Sequence, residues 1–203
     1  MAHELSIGFV GNPNCGKTTL FNAYTGANLK VANWPGVTVA KKEGLFQFHD
    51  HESKLVDLPG TYSLTSYTME EQVTRQYILS DDVDVIIDVA DASSLERNLY
   101  LTLQLIELGK PVILALNMMD IVQKRGMEID LHRLPEMLGI PVIPVSARRK
   151  TWSTGLTGWS PSISLPEQAP RITVQRVIMM AATARLINFF IFKRILFVII
   201  ICF

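Results

Sequence analysis

The sequence predicts an α/β fold: a mostly parallel sheet flanked by helices, followed by an atypical apolar C-terminal tail. Three observations carry this. Segments of strand length recur at Leu5–Val10, Val39–Phe48, Ser53–Asp57, Val83–Val89, Val112–Asn117 and Val142–Val145. Helical segments lie between most of them; Leu95, Leu99, Leu103 and Ile106 have the spacing of one helix face. Polar and glycine residues then gather at strand ends, at Gly11, Asp57, Asn117 and Ser146, where a parallel sheet collects ligand groups along one edge.

The first strand, Leu5–Val10, runs into Gly11-Asn12-Pro13-Asn14-Cys15-Gly16-Lys17-Thr18-Thr19, which has the spacing Gly, four residues, Gly-Lys-Thr. A helix follows, ending near Thr25-Gly26. Strand, glycine loop and helix N-terminus together form an anion cradle, because backbone N–H groups and the positive helix end converge on phosphates. Lys17 is expected to reach the β- and γ-phosphates, and the Thr18 hydroxyl to ligate Mg²⁺. Residues 27–38 carry Pro35 and Gly36 without a helical period and read as a long functional loop. A strand pair joined by a turn at His49–Glu52 comes next, then a break at Pro59-Gly60 and a helix over Met69–Leu79. Val83–Val89 reads as a continuous apolar strand of a sheet covered on both faces. After Val112–Asn117 a helix near Leu131–Leu138 precedes the last strand.

Four further motifs follow the phosphate loop in order. Thr38 closes the long loop and offers Mg²⁺ a second hydroxyl. Asp57-Leu58-Pro59-Gly60 brings a carboxylate for Mg²⁺ and a glycine whose N–H can approach the γ-phosphate without an intervening Cβ. Asn117-Met118-Met119-Asp120 is a base selector: an Asp carboxylate accepts from guanine N1–H and the 2-amino group, a donor pair adenine lacks. Ser146-Ala147-Arg148 fits a loop whose Ala147 N–H donates to guanine O6. The ordered set makes this a guanine-nucleotide-binding domain of the P-loop GTPase type. The nucleotide contacts expected are Asn12, Pro13, Asn14, Cys15, Gly16, Lys17, Thr18, Thr19, Gly36, Val37, Thr38, Asp57, Leu58, Pro59, Gly60, Asn117, Met118, Asp120, Ser146, Ala147 and Arg148. Lys17, Thr38, Gly60 and Asn14 are the catalytic candidates, and Thr18, Thr38 and Asp57 the Mg²⁺ ligands.

Thr61 stands where Ras-like enzymes orient water with Gln, and no arginine stands out as a finger in cis. Asn14 could hold a monovalent cation beside the phosphates, or serve as a loop residue that tolerates unusual backbone geometry. The spacing leaves both roles open.

The chain resembles the cytosolic GTPase domain of the FeoB ferrous iron transporters. The stretches that carry the likeness are Gly11–Asn22, Asn33–Val39 (Asn-Trp-Pro-Gly-Val-Thr-Val), Asp57–Leu64, Leu95–Thr102 (Leu-Glu-Arg-Asn-Leu-Tyr-Leu-Thr) and Ala115–Asp120. It covers roughly residues 4–148. The resemblance implies a slow, K⁺-stimulated GTPase whose nucleotide state regulates Fe²⁺ passage through a membrane transport domain, at the cytoplasmic face of the bacterial inner membrane. It also implies K⁺ held by Asn14 and by backbone carbonyls near Ala32 and Trp34, with Ala32 standing where many members have glycine.

Composition agrees. The chain has 203 residues, with 19 Lys+Arg against 19 Asp+Glu, and so lacks the basic excess of a nucleic-acid binder. Two cysteines, Cys15 and Cys202, far apart in sequence, point to a reducing compartment. No signal peptide is read at the start. Mean hydropathy is +0.23, with the apolar excess at the C-terminus. Residues 149–176 read as a Ser/Thr/Gly/Pro-rich linker or divergent segment. Residues 177–203 form an apolar tail, split by Lys193-Arg194, whose readings are an interfacial or buried helix, a membrane span, or the favoured one, the product of a truncation or frameshift. His49-Asp50-His51 reads as an exposed turn rather than a metal site, and the methionines as packing residues. The competing functions are a nucleic-acid-associated assembly GTPase and a nucleotide sensor without turnover; homo-oligomerisation stays open.

Overall fold

A computed structural model of the chain describes residues 5–26, 29–48, 51–65 and 67–147. The linker, the apolar tail, Arg148 and most of the His49-Asp50-His51 turn lie outside them. Strands β1 (Leu5–Gly11), β2 (Leu29–Asn33), β3 (Ala40–Phe48), β4 (His51–Asp57), β5 (Val85–Asp91), β6 (Val112–Asn117) and β7 (Val142–Pro144) form one sheet. Its order is β2-β3-β4-β1-β5-β6-β7. From β4 to β7 all neighbours are parallel, while β2 and β3 add an antiparallel extension.

The helices are α1 (Lys17–Thr25), α2 (Met69–Leu79), α3 (Leu95–Glu107), α4 (Met119–Lys124) and α5 (Arg133–Leu138). Alternation along β1 sends Ile7 and Phe9 to one face, where they pack with Phe21 of α1, and Val10 to the other. That second face meets Leu101 and Leu105 of α3 and Tyr77 and Ile78 of α2. Phe9 and Phe21 meet edge to face at 5.6 Å between ring centroids. Helix α2 starts at a capping box: Thr68 accepts from the Glu71 N–H, and the Glu71 carboxylate accepts from the Thr68 N–H.

Three elements depart from expectation. Residues 27–38 were expected to form one loop, yet Leu29–Asn33 pair antiparallel with β3, from Leu29↔Gly44 to Asn33↔Ala40. Four of these five side chains are exposed. Only Leu29 packs against the core, and an edge strand so exposed carries neither apolar alternation nor a buried run, so its sequence is silent. The extra strand also moves each later one along by one: Asp57 ends the fourth strand, Asn117 the sixth, and Ser146 follows the seventh. Helix α4 is the other addition, starting where Met118 turns left-handed at φ 64°. The strand expected at Val83–Val89 runs Val85–Asp91 instead, because the Asp84 carboxylate accepts from the Ser6 N–H at 2.9 Å and ties off the strand entry.

Candidate functional site

The parallel strands end together. Phe9 pairs with Asp57, Gly11 with Val89, and Asp91 with Asn117, so the four expected motifs share one edge of the sheet. The phosphate loop leaves β1 through Gly11, where any Cβ would lie 2.4 Å from the Val89 carbonyl oxygen. Gly16 adopts a left-handed φ of 86°, and a Cβ there would meet Asn117 Nδ2 at 2.3 Å. Glycine is required at both places by close approach. Helix α1 begins at Gly16 with no side-chain cap, which leaves its first N–H groups for the loop it closes.

Asn117 holds three loops in place. Its Nδ2 donates to the Cys15 carbonyl at 2.8 Å, and its Oδ1 accepts the Ala147 N–H at 3.0 Å. Ser146 Oγ donates to Asp120 Oδ1 at 3.0 Å. The phosphate loop, the Asn-x-x-Asp loop and the Ser-Ala loop are therefore one hydrogen-bonded unit, with buried Asn117 at its centre.

Lys17 and Asp57 form a buried ion pair. Each is the partner expected of a phosphate or a Mg²⁺ ion, and here each neutralises the other, since a lone buried charge would be costly. Gly60 follows, against Pro13: a Cβ would lie 3.4 Å from its Cα. The Thr61 N–H donates to the Gly11 carbonyl at 3.2 Å, joining this segment to the phosphate loop. The Thr61 hydroxyl is buried and donates to the Ser63 carbonyl at 2.5 Å. Cys15 is buried within the loop, and burial pushes its thiol up to about 11, so it stays protonated and inert.

The segment carrying Thr38 is organised around Trp34. Its indole is buried against Tyr77, with centroids 5.2 Å apart, and the Lys41 ammonium lies 4.7 Å above the indole ring. The Trp34 carbonyl accepts the Val37 N–H at 3.2 Å. Gly36 turns the chain at φ 77°, and Thr38 is exposed. Of the residues expected around K⁺, Asn14 is exposed with a left-handed φ of 66°, and Ala32 is exposed in β2 opposite Lys41. The donors offered to metal ions by Thr18, Thr38, Asp57 and Asn14 are all oxygens, which fits hard cations such as Mg²⁺ and K⁺. Among the described residues, no group of three or more His, Cys, Asp and Glu could hold a metal ion.

Two side-chain pairings were hidden in the sequence. Asp88, read there as part of an apolar strand, is fully buried beside α3 and accepts from Thr102 Oγ1 at 2.6 Å. Burial pushes its carboxyl up to about 7, with the Thr102 hydrogen bond opposing. Arg97 meets Tyr62 across 35 positions of sequence, its guanidinium 4.1 Å from the ring centroid.

Comparison with known proteins places this geometry. The family model described as "Ferrous iron transport protein B" matches residues 5–157, running past Arg148. The Fe(2+) transporters FeoB of Escherichia coli K12 and Shigella flexneri are each 57% identical over 150 residues, which is 72% of this chain and 19% of theirs. The chain thus spans about a fifth of the length of these relatives. Among solved structures, a mutant S. thermophilus NFeoB bound to mGDP superposes with a TM-score of 0.69 at 50% identity, covering 72% of this chain and 56% of that one. The cytosolic domain of L. pneumophila FeoB gives 0.74 at 45% identity, over 87% and 63% of the two chains. The G domain of T. maritima FeoB gives 0.67 at 46%, over 72% and 90%. The fold is the P-loop GTPase fold of these G domains, and the chain belongs to the ferrous iron transport protein B family.

Proposed function

We propose that this chain binds GTP and GDP and slowly hydrolyses GTP, and that its nucleotide state regulates Fe²⁺ uptake from the cytoplasmic face of the bacterial inner membrane. The observation that carries the reading is the Asn117 unit, which fixes a guanine-selecting carboxylate, Asp120, relative to the phosphate loop. The S. thermophilus relatives bound to mGDP and GDP support it.

The chemistry is positioning and charge stabilisation, as phosphoryl transfer requires. On binding, Lys17 leaves Asp57 for the β- and γ-phosphates, and the N-terminus of α1 faces the same oxygens. The Gly60 N–H and Thr38 approach the γ-phosphate. The hydroxyls of Thr18 and Thr38 and the Asp57 carboxylate would hold Mg²⁺, and Asn14 with backbone carbonyls near Ala32 and Trp34 would hold K⁺; bound there, the two cations would supply charge neutralisation. The Thr61 hydroxyl is committed to Ser63, which supports the reading of low turnover. The same commitment favours a second reading, a nucleotide sensor without turnover.

Residues 1–148 form the G domain in this reading, 149–176 a linker and 177–203 an apolar tail. The partner is a membrane transport domain of the same family, with homo-oligomers allowed and no nucleic-acid partner expected. Phosphate release from GTP in KCl and in NaCl, with ATP as control, tests the proposal. GTP-only release that is faster in K⁺, with the K⁺ effect lost in Asn14→Ala, is the expected result. Equal release from GTP and ATP would refute guanine selection, and GDP binding without release would leave the sensor.

A further inference from the structure

Gly60 and Thr61 must be held at the phosphate end of the site, yet the Thr61 side chain is too short to do so and is spent on Ser63. Helix α2 contributes holding groups, with Arg75 donating to the Leu64 carbonyl at 3.4 Å and Glu71 accepting from Ser63 Oγ at 3.1 Å, and α3 contributes two more. Arg97 and Gln104 lie seven positions apart on α3, on one face of the helix. The Arg97 guanidinium stacks on the Tyr62 ring at 4.1 Å. Gln104 Oε1 accepts the Leu64 N–H at 2.7 Å. The main chain of Arg97 is fixed in turn by the phosphate loop: Asn12 Nδ2 donates to the Arg97 carbonyl at 3.5 Å, from a side chain that is only 4% exposed. A closed circuit results, running from the phosphate loop through Asn12 to Arg97, through Tyr62 to Thr61, and through the Thr61 N–H back to Gly11.

We propose that α3 is a clamp for the 60–64 segment, with Arg97 and Gln104 as positioning residues for GTP hydrolysis. Arg97 touches no reacting atom; it acts on the Gly60 N–H through Tyr62. This rests on the GTPase reading above. Because Arg97 is exposed and Tyr62 is 42% exposed, removing either leaves the core intact.

The test uses the full chain with Arg97→Ala, Arg97→Lys, Tyr62→Phe, Tyr62→Leu and the Arg97→Ala/Tyr62→Leu double variant. An exposed cation–π pair supports a fall in kcat of about two- to fivefold in Arg97→Ala and Tyr62→Leu, with KM for GTP and affinity for GDP unchanged. The double variant is expected to lose no more than either single one. Tyr62→Phe, which keeps the ring, and Arg97→Lys, which keeps the charge, should recover most of the rate. Additive losses, or a loss of GDP affinity at constant kcat, would overturn the clamp. Hydrogen exchange of the nucleotide-free chain gives a readout independent of turnover: Thr61–Thr65 amides should exchange faster in Arg97→Ala than in the wild type, while β1 amides do not. Unchanged exchange there sinks the clamp. A wild-type chain that releases no phosphate but shows the exchange effect would refute the GTPase reading and the positioning role in hydrolysis, while the physical hold of α3 on the 60–64 segment would stand.

Discussion

Thr25, the last residue of α1, lies directly against Gly44 in the middle of β3: a Cβ on Gly44 would fall 2.2 Å from Thr25 Cγ2 and 2.7 Å from Thr25 Cβ. The helix that begins at the phosphate loop is seated on the sheet through this contact. Gly44→Ala is therefore expected to destabilise the chain by roughly 1–3 kcal/mol, the cost of forcing an extra carbon into a packed site. Thr25→Ser removes Cγ2 and should restore part of the loss. Urea unfolding of the single and double variants checks both expectations; equal stability of Gly44→Ala and the wild type would mean that α1 is not seated here.

The buried Asp88 carboxyl gives stability a pH dependence. Its folded pKa, pushed up to about 7 by burial, lies above its ordinary value of 3.8, so the folded chain holds the proton more tightly. The contribution of this group is fully present below pH 4, falls as pH rises from about 4 to about 7, and is flat above that. Asp88→Asn keeps an acceptor for Thr102 and should remove the slope. Thr102→Val, which strips the carboxyl of its donor, should cost about 1–3 kcal/mol. Denaturation midpoints at pH 5.5 and 8 decide: identical pH slopes for Asp88→Asn and the wild type would contradict the assignment.

Removing Asn117 breaks the unit that joins three loops. Asn117→Ala orphans the Cys15 carbonyl and the Ala147 N–H, two groups whose loss is worth about 1–3 kcal/mol each, so GDP affinity should fall by at least tenfold. Ser146→Ala releases only one hydroxyl bond to Asp120 and should cost a few-fold at most. A fluorescent GDP titration separates the two, and the reverse ranking would mean that Asp120 rather than the phosphate loop is the weak link.

Gly60 separates stability from turnover. A Cβ there reaches Pro13 only at 3.4 Å, an ordinary contact, so Gly60→Ala should stay within about 1 kcal/mol of the wild type in stability. In the proposed function that Cβ would stand where the Gly60 N–H has to approach the γ-phosphate, so turnover should drop by about tenfold or more. Melting and phosphate release on one preparation test the pair. A stable variant with unaltered turnover would remove Gly60 from the catalytic set.

The candidate site was legible where a motif gathers particular residue types at short spacing. The phosphate loop, Asp57–Gly60, Asn117–Asp120 and Ser146-Ala147 each sit within one turn, and their chemistry demands particular side chains. The parallel half of the sheet was legible too, because strands buried on both faces must be apolar. What stayed hidden depends on partners far along the chain. β2 exposes four of its five side chains and owes its existence to β3. Arg97 needs Tyr62, and Asp88 needs Thr102; neither residue of either pair advertises the other. Asp88 was masked by its own neighbours, since one carboxylate among Val85, Ile86, Ile87 and Val89 does not alter the pattern of a buried strand.

The pairing of β2 with β3 changes the mechanics of the segment that carries Thr38. Register reaches Asn33↔Ala40, and the Trp34 N–H donates to the Val39 carbonyl at 2.9 Å just beyond it. The segment is thus a short flap with a closed neck, spanning Trp34 to Val39, rather than a twelve-residue leash free at both ends. Fixing one residue's backbone costs about 1–2 kcal/mol, so a flap of half the length asks far less of the γ-phosphate when it closes. The ladder also bounds its travel: a segment anchored at both ends of its neck has less surface within reach than one tethered by twelve unpaired residues. In the proposed function, this is how one phosphate group more or less could set the position of Thr38.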